Sequence, residues 1–124
     1  MTSENASEYG RLTPMLAALE ALVRCESPTE DLDACRNVVR LASDIATRVL
    51  GTPAEIKEIE GRPVFWWGAQ SPEIVLLAHL DTVWPHGSYL PLWEVNGDVV
   101  RGPGVFDMKA GFLQALYALR GIEG

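Results

Sequence analysis

Apolar residues recur at helical spacing early in the chain, where Leu12, Leu16, Leu19, Leu22 and Val23 fall on one face of a helix ending near Arg24. Met1 to Gly10 read as a frayed polar leader before it. Ser27, Pro28 and Glu30 then carry a helix-start signature, with Ser27 as N-cap, Pro28 at the first helical position and Glu30 as capping-box partner. The stripe that follows is Leu32, Cys35, Val38, Val39, Ala42, Ile45, Ala46 and Val49, ending at Gly51 with Pro53 just beyond. Cys35 lies on that stripe and reads as packing. Beyond Pro53 the period changes: Ala54 to Ile59 predicts a strand, Gly61-Arg62-Pro63 a turn, and Val64 to Trp67 a second strand whose paired tryptophans read as core. Ile74 to Ala78 is an uninterrupted apolar run, as expected of a central strand covered on both faces. Asn96-Gly97 between Leu92–Val95 and Asp98–Arg101 predicts a tight hairpin, and Gly111 to Arg120 a last helix. The order predicts an α/β architecture, a mixed and largely parallel sheet flanked by helices.

Composition narrows the function classes. The 124 residues carry a formal net charge of −7, which argues against a general nucleic-acid binder. With 48% hydrophobic and 22% charged residues the chain can bury a core and lies far from the disordered regime. No basic cluster followed by an apolar run marks a secretory signal, and no stretch approaches the ~20 apolar residues that span a bilayer. Cys25 and Cys35 form no CxxC pair, so neither a disulfide framework nor a zinc knuckle is indicated, and a reduced, cytoplasmic setting is expected.

In open α/β sheets the ligand crevice lies beyond the carboxyl ends of the strands, and Ile74–Ala78 runs directly into His79-Leu80-Asp81-Thr82-Val83. Strand alternation puts His79 and Asp81 on one side. The Asp81 carboxylate can then hold one ring nitrogen while the other faces a metal. A ligating imidazole must be neutral and fixed in one tautomer, which such a carboxylate achieves. A second candidate is Asp107, delivered by the glycine-rich turn Arg101-Gly102-Pro103-Gly104-Val105-Phe106-Asp107 just before the last helix. Its two oxygens could bridge two divalent cations. N-capping of the helix would explain an aspartate there equally well.

Together, H-L-D-T-V and, 28 residues from His79 to Asp107, G-P-G-V-F-D-M-K-A-G resemble the M20 family of zinc metallopeptidases and deacylases, most closely its glutamate carboxypeptidase-like branch. The likeness takes in E-S-P-T-E-D before the second helix, A-H-L-D-T-V-W-P-H-G, and the N-G-D hairpin. It implies a zinc-peptidase-type catalytic domain in which His79 ligates one zinc, Asp107 bridges both, and Asp81 orients His79. His86 matches no ligand position and reads as a loop residue. Lys109 has no ligand role, and a solvated or salt-bridged helix start is expected for it. Ala110 stands where many relatives have a second glycine.

The resemblance also implies residues that are not here. The family's Glu-Glu pair, holding the general base, lies further downstream than the 17 residues that follow Asp107, and a further acidic ligand and a distant histidine are missing too. A catalytic zinc needs about three protein ligands and an open position. Residues 1–124 are therefore expected to be the N-terminal part of a zinc-dependent hydrolase catalytic domain, without the dimerisation domain through which many relatives pair, and marginal or aggregation-prone alone. The expected reaction of the full-length protein is hydrolysis of an amide bond in a small peptide or N-acyl amino acid, with two Zn2+ ions, or Co2+ or Mn2+, per complete site. No nucleic-acid or membrane partner is expected, and the full-length protein could be a homodimer. The alternatives are a non-catalytic metal-binding or interaction module that keeps the fold, and an α/β domain whose His-x-Asp pair is purely structural.

Overall fold

The computed structural model describes residues Ser3 to Ile122, with side chains described from Leu12 onward. The described residues form a mixed α/β structure of three α-helices and two small antiparallel hairpins: α1 (Ser3–Arg24), α2 (Leu32–Leu50), β1 (Glu55–Ile59), β2 (Arg62–Trp66), β3 (Glu94–Asn96), β4 (Val99–Arg101) and α3 (Ala110–Leu119). Among the described residues no helix is long and apolar enough to cross a membrane.

The core forms where the three apolar helix faces meet. Leu19, Leu22 and Val23 of α1 join Val38, Val39, Ala42, Ile45 and Ala46 of α2 and Phe112, Leu113 and Leu116 of α3 in one buried cluster. The period-3.6 stripe of α2 predicts this face, and all its central members are buried. Helix α1 begins at Ser3, well before the expected start near Leu12. Glu4, Ala6 and Glu8 are good helix formers, so the helix continues past its buried face, a continuation that apolar spacing cannot register. Leu12 itself is exposed.

The start of α2 differs from the expectation. Ser27 does not cap it; Asp31 does, its carboxylate accepting from the Ala34 N–H at 3.0 Å. Ser27 is fully buried and its hydroxyl donates to the Leu80 carbonyl at 2.7 Å, so a tertiary contact has claimed the group that local pattern assigns to the cap. The far end matches: Gly51 is left-handed at φ 81° and returns its N–H to the Thr47 carbonyl.

Both hairpins form, each with a two-residue loop. Ile59 pairs with Arg62, so Glu60-Gly61 is the first turn, both residues at positive φ, and Arg62 and Pro63 belong to the strand rather than to the turn. Asn96 pairs with Val99, which moves the second turn one residue on, to Gly97-Asp98. Phe65 of β2 meets Phe112 of α3 edge to face at 5.8 Å, fixing the first hairpin against the core. The paired tryptophans are half-buried rather than core: Trp66 donates its indole N–H to the Ala69 carbonyl and Trp67 to the Thr52 hydroxyl.

The parallel sheet is not found among the described residues. Ile74–Ala78 is in no strand, and Leu77 is 90% exposed, with Ile74, Val75 and Leu76 also open to solvent. An unbroken apolar run records a need for neighbours on both faces and both edges, and no other described segment lies beside it as a strand. The parallel contact that does occur is a single bridge between Pro28 and Thr82.

Candidate metal centre

That bridge organises the site. Thr82 donates its N–H to the Ser27 carbonyl at 2.8 Å and accepts from the Thr29 N–H at 3.0 Å, so the backbone leaving α1 grips the backbone following His79. The second wall is the bend Gly102–Gly104, packed under α1 and against Thr82. A Cβ on Gly102 would run into the Leu92 carbonyl and come within 2.8 Å of Val23 Cγ1, and one on Gly104, at φ +81°, would come within 2.6 Å of Thr82 Cγ2. From Val105 to Lys109 the chain makes one wide turn, closed by Lys109 N–H to the Gly104 carbonyl at 2.9 Å, with Asp107 and Met108 in non-helical conformations.

This turn presents Asp107 to His79. The Nε2 of His79 lies 2.9 Å from Asp107 Oδ1, while Nδ1 lies 3.1 Å from the Asp81 carbonyl and 3.2 Å from Asp81 Oδ1. All three residues named from the sequence thus share one cleft of about 370 Å3, walled also by Trp84, Tyr89 and Phe106. Trp84 and Tyr89 pack edge to face at 4.9 Å, a rigid aromatic side to an otherwise polar opening. Asp107 does not cap α3, which begins at Ala110 without a side-chain cap. Its carboxylate is 76% exposed and aimed at the imidazole.

Burial would depress the His79 pKa, but the Asp107 hydrogen bond, the Asp81 carbonyl and the two carboxylate charges outweigh it and hold the imidazole above its ordinary 6.5. Two anions on opposite nitrogens favour a cation between or upon them. A proton serves at low pH; a divalent ion would displace the one on Nε2.

No family model matches the chain. Neither a curated protein nor a solved structure matches it.

Zinc bonds of about 2.0–2.2 Å at a tetrahedral angle separate two donors by about 3.3 Å. His79 Nε2 and Asp107 Oδ1 at 2.9 Å would need to part by only about 0.4 Å, which side-chain rotation of an exposed aspartate supplies. The pair therefore fits two ligands of such a centre. Among the described residues no group of three or more His, Cys, Asp or Glu side chains is gathered as a metal set.

Two residues behave otherwise than expected. Lys109 is no solvated helix start: it is 1% exposed, with its ammonium donating to the Leu22 carbonyl at 2.8 Å and the Cys25 carbonyl at 3.3 Å. Leu22 lies in the last turn of α1, whose carbonyls lack intrahelical partners, so the cation caps that helix and ties the Asp107 turn to it. Burial pushes its pKa down to about 8. His86 is a loop residue as expected, yet not a free one: its Nε2 lies 2.9 Å from Asp31 Oδ2 and its Nδ1 3.6 Å from Glu26 Oε2. Cys25 and Cys35 are held as thiols, their pKa values raised by burial, in line with a packing role for Cys35. Sequence reasoning missed Thr29, whose hydroxyl lies 2.6 Å from Asp81 Oδ2; the available signal was its place in E-S-P-T-E-D, which local pattern assigned to a helix start.

Proposed function

We propose that this chain is the N-terminal part of the catalytic domain of an M20-type zinc-dependent amidohydrolase, acting on a small peptide or an N-acyl amino acid. The observation that carries this reading is the 2.9 Å approach of His79 Nε2 to Asp107 Oδ1, across 28 residues of sequence, with Asp81 behind the opposite nitrogen. That arrangement supports a carboxylate–histidine–metal relation, in which Asp107 would be the second ligand.

Zinc in such a centre supplies Lewis-acid polarisation of the scissile carbonyl and lowers the pKa of a water towards about 7. The residues of this chain do the rest of what can be assigned here. Asp81 accepts the Nδ1–H of His79 and so leaves Nε2 as the ligating atom. Asp107 contributes two carboxylate oxygens at the open side of the cleft. The glycine bend brings its backbone close enough to Thr82 to set their separation. Trp84 and Tyr89 form an apolar flank against which a substrate side chain or acyl group can rest, and a cleft of about 370 Å3 is of the size that admits a small ligand. In this proposal the general base and the remaining ligands come from outside the chain described. The exposed run Ile74–Leu77 supports that, since it is built to be covered by further strands of a larger sheet. A cytoplasmic setting and pairing of the full-length protein belong to the same proposal.

The test is made in the longest natural protein that carries this segment. Zinc content and hydrolysis of N-acyl amino acids and dipeptides are compared for wild type, His79→Ala and Asp107→Ala. Both variants are expected to lose bound zinc and turnover together; unchanged zinc content and turnover in both refute the assignment.

A further inference from the structure

The wide turn that carries Asp107 has little of its own to hold it in place. Phe106 is 97% exposed, and Asp107 is open to solvent, its carboxylate reaching out to His79. Val105 and Met108 are half-buried. From Val105 to Lys109 the one fully buried residue is Lys109. Nor does Asp107 gain a fixed place by capping α3, which starts without a side-chain cap.

Lys109 anchors the turn along its whole length. Its N–H closes the turn on the Gly104 carbonyl at 2.9 Å. Its stem lies along the glycine bend, with Cδ and Cε 3.4 and 3.5 Å from the place a Cβ would take on Gly104. Its ammonium ends on the Leu22 and Cys25 carbonyls, at 2.8 and 3.3 Å. These acceptors sit in the last turn of α1 and just beyond it, where a helix has carbonyls to spare and a partial negative charge. Taken out of water, the ammonium depends on them, and its bonds to them are charge-assisted. Two residues earlier the same turn releases Asp107 to the solvent side, where Oδ1 lies 2.9 Å from His79 Nε2. The walls of the cleft include Phe106 and Asp107 but not Lys109, so the lysine can act on the cleft only through the turn.

We propose that Lys109 is the positioning residue of Asp107: by gripping the end of α1, its ammonium fixes the turn from which the carboxylate meets His79, and so sets how tightly the pair holds a shared divalent ion. The effect on the ion rests on the metal reading above. The tether itself is measured without any metal.

The experiment uses the longest natural protein that carries this segment and two variants of it. Lys109→Met keeps an unbranched stem and removes the ammonium, whereas Ile45→Ala truncates the α2 face of the core and controls for lost stability alone. Zinc affinity is measured on folded protein by competition with a chromophoric chelator. Lys109→Met is expected to bind zinc about 10–100-fold more weakly than wild type, as when a residue behind a metal ligand is removed, while Ile45→Ala binds it as wild type does. Undiminished affinity in Lys109→Met overturns the proposal, and so does an equal loss in Ile45→Ala. In metal-free protein the amide of residue 109, which closes the turn, is followed by hydrogen exchange against the core amide of Ala42. It is expected to exchange at least about tenfold faster relative to Ala42 in Lys109→Met than in wild type, because a bond to a charged group is lost locally. An unchanged ratio removes the tether and the proposal with it. If Lys109→Met does not fold, Lys109→Gln, shorter and uncharged, is judged by the same two measurements. A wild type that binds no zinc but shows the exchange difference would sink the metal reading and leave the tether of Asp107 standing.

Discussion

Two glycines seven residues apart should respond in opposite directions to the same methyl group. At Gly104 the backbone is left-handed, at φ +81°, which costs a non-glycine residue about 1–2 kcal/mol. The added Cβ would also lie 2.6 Å from Thr82 Cγ2. Thr82 cannot retreat, because its N–H and carbonyl are both bonded to the backbone at Ser27 and Thr29. Overpacking of that kind adds about 1–3 kcal/mol, so Gly104→Ala is expected to destabilise the fold by about 2–5 kcal/mol in total. At Gly111, inside α3, the nearest atom to a new Cβ is the flexible Met108 Cε at 3.5 Å, an ordinary contact. Gly111→Ala should therefore stabilise by about 0.5–1 kcal/mol, the helical penalty of glycine relative to alanine. Equilibrium urea unfolding followed by circular dichroism measures both; in heating experiments the Gly104 loss corresponds to roughly 4 °C per kcal/mol for a domain this size. A Gly104→Ala variant within about 1 kcal/mol of wild type would refute the steric reasoning, and so would a Gly111→Ala variant as damaged as Gly104→Ala.

Two pH effects follow from charges outside the His79 cleft. Lys109 in the fold loses its proton near 8, against 10.5 when unfolded, so between those values the unfolded chain binds more protons and stability rises with pH, by roughly 3 kcal/mol at most. The Cys25 and Cys35 thiols, raised above 9.0 in the fold, act in the opposite sense, so the slope is read as the difference between wild type and Lys109→Met in urea unfolding at pH 7 to 10.5; equal slopes in the two proteins would contradict the burial argument. The His86–Asp31 contact has a bounded working range. His86 is raised by its bond to Asp31, so its contribution is complete below 6.5 and is lost as pH climbs through the raised value. Asp31 is lowered, first by the Ala34 N–H and then by His86, so its contribution is complete above 3.8 and is lost as pH falls through the lowered value. The chemical shift of the Ala34 amide, which donates to Asp31, should therefore hold a plateau between about pH 4 and 6.5 and move on either side, and His86→Gln should remove the movement on the alkaline side.

Helices α2 and α3 were legible because their apolar residues repeat at the period of the structure they form, and Gly51 marks its stop through a conformation other residues avoid. The hairpins were legible through Gly61 and Gly97, though pattern alone misplaced each turn, since register depends on which residues across the hairpin meet. What could not be read is what distant groups do to local signals. Ser27 looked like a cap until Leu80, 53 residues away, took its hydroxyl. Lys109 looked solvated because charge predicts exposure, and only the open carbonyls at the end of α1 explain its burial. Thr29 carried no chemical signature of its own. The run Ile74–Ala78 showed a demand for strand neighbours that the described residues do not meet. Residue type and spacing single out His79, Asp81 and Asp107, and the structure brings the three into one cleft.

The bonding of Glu26–Asp31 to the stretch from Leu80 to Gly87 has a temporal consequence. Helices form within about a microsecond once their residues are available, but the partners of Glu26–Asp31 lie more than fifty residues later. At a synthesis rate of roughly 5–20 residues per second, those carboxylates and hydroxyls emerge from the ribosome several seconds before anything exists for them to grip. Lys109 is later still, 87 residues after the Leu22 carbonyl it satisfies. The cleft therefore waits for residues made long after the end of α1, and a slow stretch of translation after Gly87 would prolong the interval in which the Leu22 carbonyl lacks the Lys109 donor.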